Sequence, residues 1–320
     1  MTSFGCFPAI SPPPSLLTRP SFRTRSVLPF QNRFCRFGVK CSSAEAGVVD
    51  DSNSATIDVV ADIKSERVVV LGGNGFVGSA ICKAAVSKGI EVTSLSRSGR
   101  PSYTGSWVNQ VNWISGDVFY ANWDEVLVGA TAVVSTLGGF GTEEQMLRIN
   151  GEANVVAVGA AQKYGIPKFI LISVHDYNFP PFLLSSGYFT GKRKAESEVL
   201  SKYPYSGNLE YPFPQFLVYF SEALRFSCVV LRPAFIYGKR KVDGFEIPLD
   251  LIGEPWERIL GAVENFTKPL SSLPASDVFL APPVSVDDVA LAVINAVTDD
   301  DVFGIFTIEQ IKEAASKVKV

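Results

Sequence analysis

Tyr188 and Lys192 place a phenol and an amine four residues apart, a spacing that on a helix brings both side chains to one face. An ammonium beside a phenol lowers its pKa. A tyrosine so tuned can give a proton to a substrate oxygen, or take one from it, while hydride moves to or from a nicotinamide. Taken alone, this spacing more often marks a solvated helix face. Residues 67–78, RVVVLGGNGFVG, carry a second chemical signal. Val68 to Leu71 suit a strand buried on both faces, and the chain beyond Gly78 reads as a helix with Val77, Ile81 and Ala84 or Ala85 inward. Gly72 lets the chain bend, Gly75 lets backbone approach a pyrophosphate, and Gly78 lets the helix pack close to the strand. Phe76 and Val77 belong to the same cradle, where N–H groups at a helix start face an anion. The competing reading is an ordinary glycine-rich turn, which the flanking strand and helix disfavour.

The end of the next strand, residues 92–98, holds no Asp or Glu that would accept from a ribose hydroxyl and repel a 2′-phosphate. Arg97 stands there, and a guanidinium can pair with that phosphate through two hydrogen bonds. This favours NADPH over NADH. Arg100 nearby leaves open that Arg97 is simply solvated.

These residues need a frame, and the chain supplies an alternating one. Strands are expected at 67–72, 90–96, 111–116, 131–137, 168–174 and 228–233, with helices at 78–88, 122–128, 143–164 and 188–202. Alternation of this kind predicts an α/β fold with a Rossmann-type, doubly wound parallel sheet spanning 66–238. Prolines punctuate residues 239–320, which read as a small C-terminal substrate lobe with elements returning to the core. Residues 203–227 interrupt the pattern with eight aromatics in the 24 residues from 203 to 226, too long for an ordinary connection. Three readings stand: an aromatic flap over the substrate, a surface dipping into lipid, or a tolerated splice-derived segment.

The 320 residues are 47% hydrophobic, ample for a packed core. Residues 1–44 contain Arg19, Arg23, Arg25, Arg33, Arg36 and Lys40, many Ser and Pro, and no acid. That composition reads as a transit peptide, for the chloroplast in preference to the mitochondrion, followed by a linker at 45–65. Its removal takes six bases from the 29 and no acid from the 32, leaving a net charge of −9. An acidic balance argues against a broad nucleic-acid surface. Cys6, Cys35 and Cys41 lie in or beside the transit segment, while Cys82 and Cys228 read as buried hydrophobes. His175 is the single histidine, so no metal site is expected.

The run from about 67 to 298 resembles the extended and atypical short-chain dehydrogenase/reductase superfamily. The matching pieces are GGNGFVG at 72–78, Gly116-Asp117-Val118, Arg148-Ile149-Asn150-Gly151, Ser173, Tyr188-x-x-x-Lys192 with Ala195-Glu196, LRPAFIYG at 231–238, and VSVDDVA at 284–290. It looks most similar to the branch holding accessory subunits of mitochondrial complex I and of ubiquinone biosynthesis, and to plant plastid proteins of the lipid droplets called plastoglobules. The resemblance implies that Gly72, Gly75 and Gly78 cradle pyrophosphate and that Asp117 and the Val118 amide contact adenine. It further implies that Ser173 holds the substrate oxygen and Tyr188 is the general acid or base. Lys192 would bind the nicotinamide ribose and polarise Tyr188, with Pro233 and Ile236 passing beside the nicotinamide. Asp117 also reads as a turn residue, Pro233 and Ile236 as ordinary strand-end structure, and Asn150 either as a helix-to-sheet bridge or as a surface residue.

Two functions follow as expectations. One is an NADPH-dependent plastid oxidoreductase acting on a small apolar carbonyl, quinone-like or isoprenoid substrate. The other is a noncatalytic NAD(P)-binding accessory protein at a membrane or lipid-droplet surface.

Overall fold

The computed structural model describes residues 66–203, 226–242, 245–267 and 280–319. The expected transit peptide, the linker and nearly all of the aromatic insertion lie outside them. The strands are β1 (Arg67–Leu71), β2 (Glu91–Ser96), β3 (Val111–Ser115), β4 (Ala132–Ser135), β5 (Lys168–Ile172), β6 (Ser227–Leu231), β7 (Ile236–Tyr237), β8 (Lys239–Val242), β9 (Phe245–Pro248), β10 (Val284–Ser285) and β11 (Gly304–Phe306). Seven of them form one sheet in the order β11-β6-β5-β4-β1-β2-β3. Every pairing in that sheet is parallel.

The helices are α1 (Phe76–Ser87), α2 (Trp123–Leu127), α3 (Glu143–Leu147), α4 (Ala153–Lys163), α5 (Pro181–Leu184), α6 (Gly187–Lys202), α7 (Asp250–Thr267), α8 (Val286–Thr298) and α9 (Ile308–Val318). They cover both faces of the sheet, which explains the continuous apolar run of β1. Val68 and Val70 pack with Ile81 and Cys82 of α1, Val289 and Val293 of α8, and Ile311 of α9. Val69 and Leu71 point the other way, to Val126 of α2, Ala157 and Val158 of α4, and Ala195 and Val199 of α6.

β1 pairs with β2 on one side and β4 on the other, so chain order reverses there. The carboxyl ends of the strands around such a reversal open a crevice for ligands. Helix α1 begins at Phe76, two residues before the expected start, because Gly75 is extended at the N-cap and its carbonyl already accepts from the Ser79 N–H at 2.9 Å. The expected helix at 143–164 is broken: α3 runs into a π turn at Arg148–Glu152 before α4 continues. Thr142 and Gln145 cap the start of α3 reciprocally.

Beyond β7 the chain forms the antiparallel β8–β9 hairpin and α7. It then returns: β10 pairs with β7, α8 lies against α1, and β11 extends the main sheet beside β6. Lys168 ties this return to the core, its buried Nζ donating to the carbonyls of Ala296 and Asp299, both at 2.7 Å. Cys82 and Cys228 are free and buried, and burial pushes both thiols up to about 12.

Candidate cofactor cleft and active site

The glycine turn after β1 is built by exclusion. Gly72 adopts φ +85°, and its N–H donates to the Leu95 carbonyl of β2 at 2.8 Å. A Cβ on Gly78 would lie 2.3 Å from the Gly72 oxygen, and one on Gly75 would lie 3.1 Å from it. No side chain larger than hydrogen fits between turn and helix at position 78 without displacing backbone. Phe76 and Val77 open α1 just behind Gly75, so their N–H groups sit in the first helical turn, where no intrahelical acceptor exists.

Two further residues shape the turn. A Cβ on Gly73 would lie 2.2 Å from the Ser94 Oγ, and the Thr136 Oγ1 donates to the Leu71 carbonyl at 2.8 Å while filling the space beside Gly72. Sequence reasoning passed over both. The doubled glycine at 72–73 is the signal that could have found the first.

A cavity of about 310 Å³ opens over this turn at the carboxyl ends of β1, β2, β3 and β4. Gly72 and Gly75 form one wall, Arg97 and Ser98 the next, Gly116, Asp117 and Val118 the third, and Thr136 to Gly138 the fourth. Arg97 is exposed at its edge, with its carbonyl held by the Ser115 hydroxyl at 3.1 Å. Asn74 reaches across to the Ser98 hydroxyl at 2.8 Å. Asp117 lines the cavity and is also a turn residue, since its Oδ1 accepts from the Phe119 N–H at 3.0 Å. The glycine cradle, the helix start and the cavity that the ends of four strands line together suit a dinucleotide.

The other expected site residues gather at the ends of β4, β5 and β6. Ser173 follows β5 and is buried, its N–H held by the Leu231 carbonyl at 2.8 Å. Its Oγ makes no well-formed hydrogen bond, yet it lies near enough to the Glu196 carboxylate to help hold it ionised. Lys192 is buried on α6, and its Nζ donates to the Ile172 carbonyl at 2.8 Å and the Leu137 carbonyl at 3.1 Å. Burial lowers its pKa to about 8, against a smaller upward pull from Glu196.

Tyr188, one turn earlier on α6, is half-buried and stacks on Phe140, ring centres 4.8 Å apart at 13°. Burial raises its pKa, opposite to the lowering that a neighbouring ammonium would give. The phenol is therefore protonated near neutral pH. Pro233 is buried, with its carbonyl accepting from the His175 N–H at 2.8 Å, and Ile236 begins β7 against Val284.

The π turn carries Asn150, which is fully buried. Its side chain takes both backbone groups of Gly139, accepting from the N–H at 3.2 Å and donating to the oxygen at 2.9 Å. Asn150 is thus a helix-to-loop bridge beneath the cleft. The π turn itself accords with the frequent placement of such bulges at functional sites. Gly151 and Gly191 bring the π turn and α6 into backbone contact, a Cβ on Gly191 falling 2.9 Å from the Gly151 nitrogen.

Beside Lys192 lies an ion-pair network only partly foreshadowed by sequence. Glu196 is buried and accepts from Arg232 through both oxygens, at 3.1 and 2.7 Å, and from Arg193 at 2.7 Å. Arg193 also reaches Asp176 at 3.1 Å. Burial works to raise the Glu196 pKa, but the hydrogen bonds from Arg232, the nearby Ser173 hydroxyl and the charge of Arg193 outweigh it and leave the carboxyl lowered. The network locks α6 to the end of β6, fixing the height of Lys192 above the sheet. Among the described residues no cluster of three or more His, Cys, Asp or Glu could hold a metal ion.

Comparison with known proteins agrees with this geometry. The profile of a family described as NAD(P)H-binding matches residues 72–204. An Arabidopsis thaliana protein named as chloroplastic, At1g32220, is 65% identical over 319 residues and all of both chains. The MIOREX complex component 2 of Saccharomyces cerevisiae is 24% identical over 78% of this chain and 99% of its own length. Among solved structures, MoeE5 in complex with UDP-glucuronic acid and NAD shares the fold, with a TM-score of 0.50 and 18% identity over 76% of each chain. With its seven-stranded parallel sheet and glycine cradle, the chain has an NAD(P)-binding Rossmann-type fold and belongs to one family with the Arabidopsis protein.

Proposed function

We propose that this protein is an NADPH-dependent oxidoreductase of the plastid that reduces a small apolar carbonyl or quinone-like substrate. The observation that carries the reading is the grouping of Ser173, Tyr188 and Lys192 around the ends of β4 and β5, beside the dinucleotide cleft. A bound nicotinamide supplies hydride. Tyr188, with its phenol raised by burial, holds the proton that an oxygen needs once its carbon has gained hydride. Ser173 offers a buried hydroxyl without a well-formed hydrogen bond at the end of β5. Lys192 sets its ammonium beside Gly138, which lines the dinucleotide cleft. The aromatic surroundings of Tyr188, formed by Phe140, Phe189, Tyr177 and Phe179, support an apolar ring substrate.

Preference for NADPH rests on Arg97 at the rim of the cleft, where a 2′-phosphate would meet it. The plastid assignment rests on the arginine-rich, acid-free first 44 residues and on the chloroplastic name of the 65% identical relative. The test is NADPH oxidation across a panel of quinones and apolar carbonyls. Turnover that Tyr188→Phe abolishes supports the reading, and no oxidation across the panel overturns it.

A second reading, an NAD(P)-binding accessory protein at a membrane or lipid surface, is favoured by one observation. Lys192 is committed to two backbone carbonyls and Tyr188 is covered by Phe140, an arrangement suited to a rigid, closed site. Cofactor that copurifies and exchanges without turnover would support it.

A further inference from the structure

Phe140 lies on the loop between β4 and α3 with its side chain 83% exposed, yet its ring stacks flat on Tyr188. An exposed phenylalanine gains little from burial at such a place, so the stack itself is the contact to explain. Both ends of its loop are anchored. On one side Asn150 clamps the N–H and carbonyl of Gly139. On the other, Thr142 is the N-cap of α3, its N–H donating to Gln145 at 3.1 Å, and the Glu143 carboxylate holds the Gly187 N–H at the start of α6. Only Phe140 and Gly141 lie between these anchors. The Phe140 side chain can change rotamer while this frame stays fixed.

We infer that Phe140 is an aromatic gate over Tyr188, whose ring yields its place on the phenol to a planar, conjugated substrate ring. This rests on the reading of Tyr188 as the substrate-side acid and adds to it a demand on substrate shape. A flat ring that displaces Phe140 recovers the stacking contact that is lost, whereas a puckered alicyclic ketone recovers little of it. The neighbouring rings extend the same apolar platform, since Tyr188 meets Phe189 edge-on at 5.3 Å and Phe189 meets Phe179 at 5.6 Å.

The test places 4-fluorophenylalanine at position 140 of the full chain and follows its fluorine resonance during addition of NADPH, then 1,4-naphthoquinone, then decalone. The expected result is a resonance unmoved by NADPH, shifted by naphthoquinone, and little affected by decalone. Phe140→Ala and Phe140→Leu remove the ring that naphthoquinone must displace and should tighten its binding by about 2- to 10-fold, the range that one aromatic pair carries. Phe140→Tyr should retain the wild-type affinity. A resonance that NADPH alone moves, or a naphthoquinone affinity unchanged in both Phe140→Ala and Phe140→Leu, overturns the gate. Quinone turnover without a fluorine shift removes the gate and leaves the reductase reading intact. A shift without NADPH oxidation does the reverse.

Discussion

Gly78 stands so close to Gly72 that a Cβ on Gly78 would lie 2.3 Å from the Gly72 carbonyl oxygen. That carbonyl also accepts from the Gly75 N–H at 2.8 Å, so one peptide group fixes the turn and the helix together. The three glycines act as one object. Adding a methyl group at position 78 must push α1 away from β1 and tilt the N–H groups that face the cleft.

Gly78→Ala should therefore destabilise the fold by about 1–3 kcal/mol, the usual cost of overpacking, and weaken NADPH binding by at least roughly tenfold. Gly159→Ala is the matched control, because a Cβ there meets nothing within 4 Å and α4 should tolerate or welcome it. Thermal unfolding and cofactor titration of both variants check this. Equal behaviour of the two would mean that the close approach at position 78 is not what forms the cradle.

Arg97 lines the cleft at the end of β2 without an acidic residue beside it on that strand end. Arg97→Ala should weaken NADPH by about 10- to 100-fold, the loss expected of a charge-assisted pair, and leave NADH nearly unchanged. Direct binding measurements with both cofactors decide it. Wild-type affinity for NADH equal to or above that for NADPH would remove Arg97 from the site.

The sheet was legible because its strands are continuous apolar runs between helices with apolar stripes, and the glycine turn because its spacing sits between such elements. The π turn at Arg148–Glu152 was not legible, since one inserted residue leaves the apolar periodicity of 143–164 nearly intact while shifting the face that follows. The start of α1 was misplaced by two residues because Gly75 and Phe76 carry no side-chain cap to mark it. Sequence also read the Lys192 amine as the tuner of Tyr188, whereas folding turns it toward the carbonyls of Leu137 and Ile172. Helical spacing places two side chains on a face; it does not say where a long side chain ends. Phe140 escaped notice for a related reason, since its partner Tyr188 is brought to it only by the packing of α3 against α6.

Glu196→Gln should destabilise the protein by about 1–3 kcal/mol, less than the roughly 3–5 kcal/mol for breaking a fully buried pair, because Arg232 and Arg193 keep 23% and 31% of their side chains in solvent. The sign with pH follows from the lowered carboxyl. Its contribution is full above the ordinary value of 4.5 and is lost as pH falls through the lower folded value. Urea unfolding of wild type and variant should therefore differ at neutral pH and converge in acid. A constant difference down to pH values well below 4.5 would show that Glu196 acts through shape and not charge.

Lys192 makes the opposite kind of contribution. Burial brings its folded pKa from 10.5 to about 8, so protonation below that value costs the folded state free energy that the unfolded chain does not bear. Between pH 8 and 10.5 the unfolded chain holds more protons, and stability should rise with pH by up to about 3 kcal/mol. The neutral amine still has two N–H groups, enough for the Leu137 and Ile172 carbonyls, so deprotonation leaves both hydrogen bonds in place. Lys192→Met removes the titration but orphans both carbonyls. It should thus flatten the alkaline rise while losing ground to wild type as pH increases, a trend read from urea midpoints across that window. A wild-type-to-variant difference that stays constant across it would mean that the ammonium finds enough solvent or counter-charge in the pocket to keep an ordinary pKa, and the role of burial at Lys192 would fall with it.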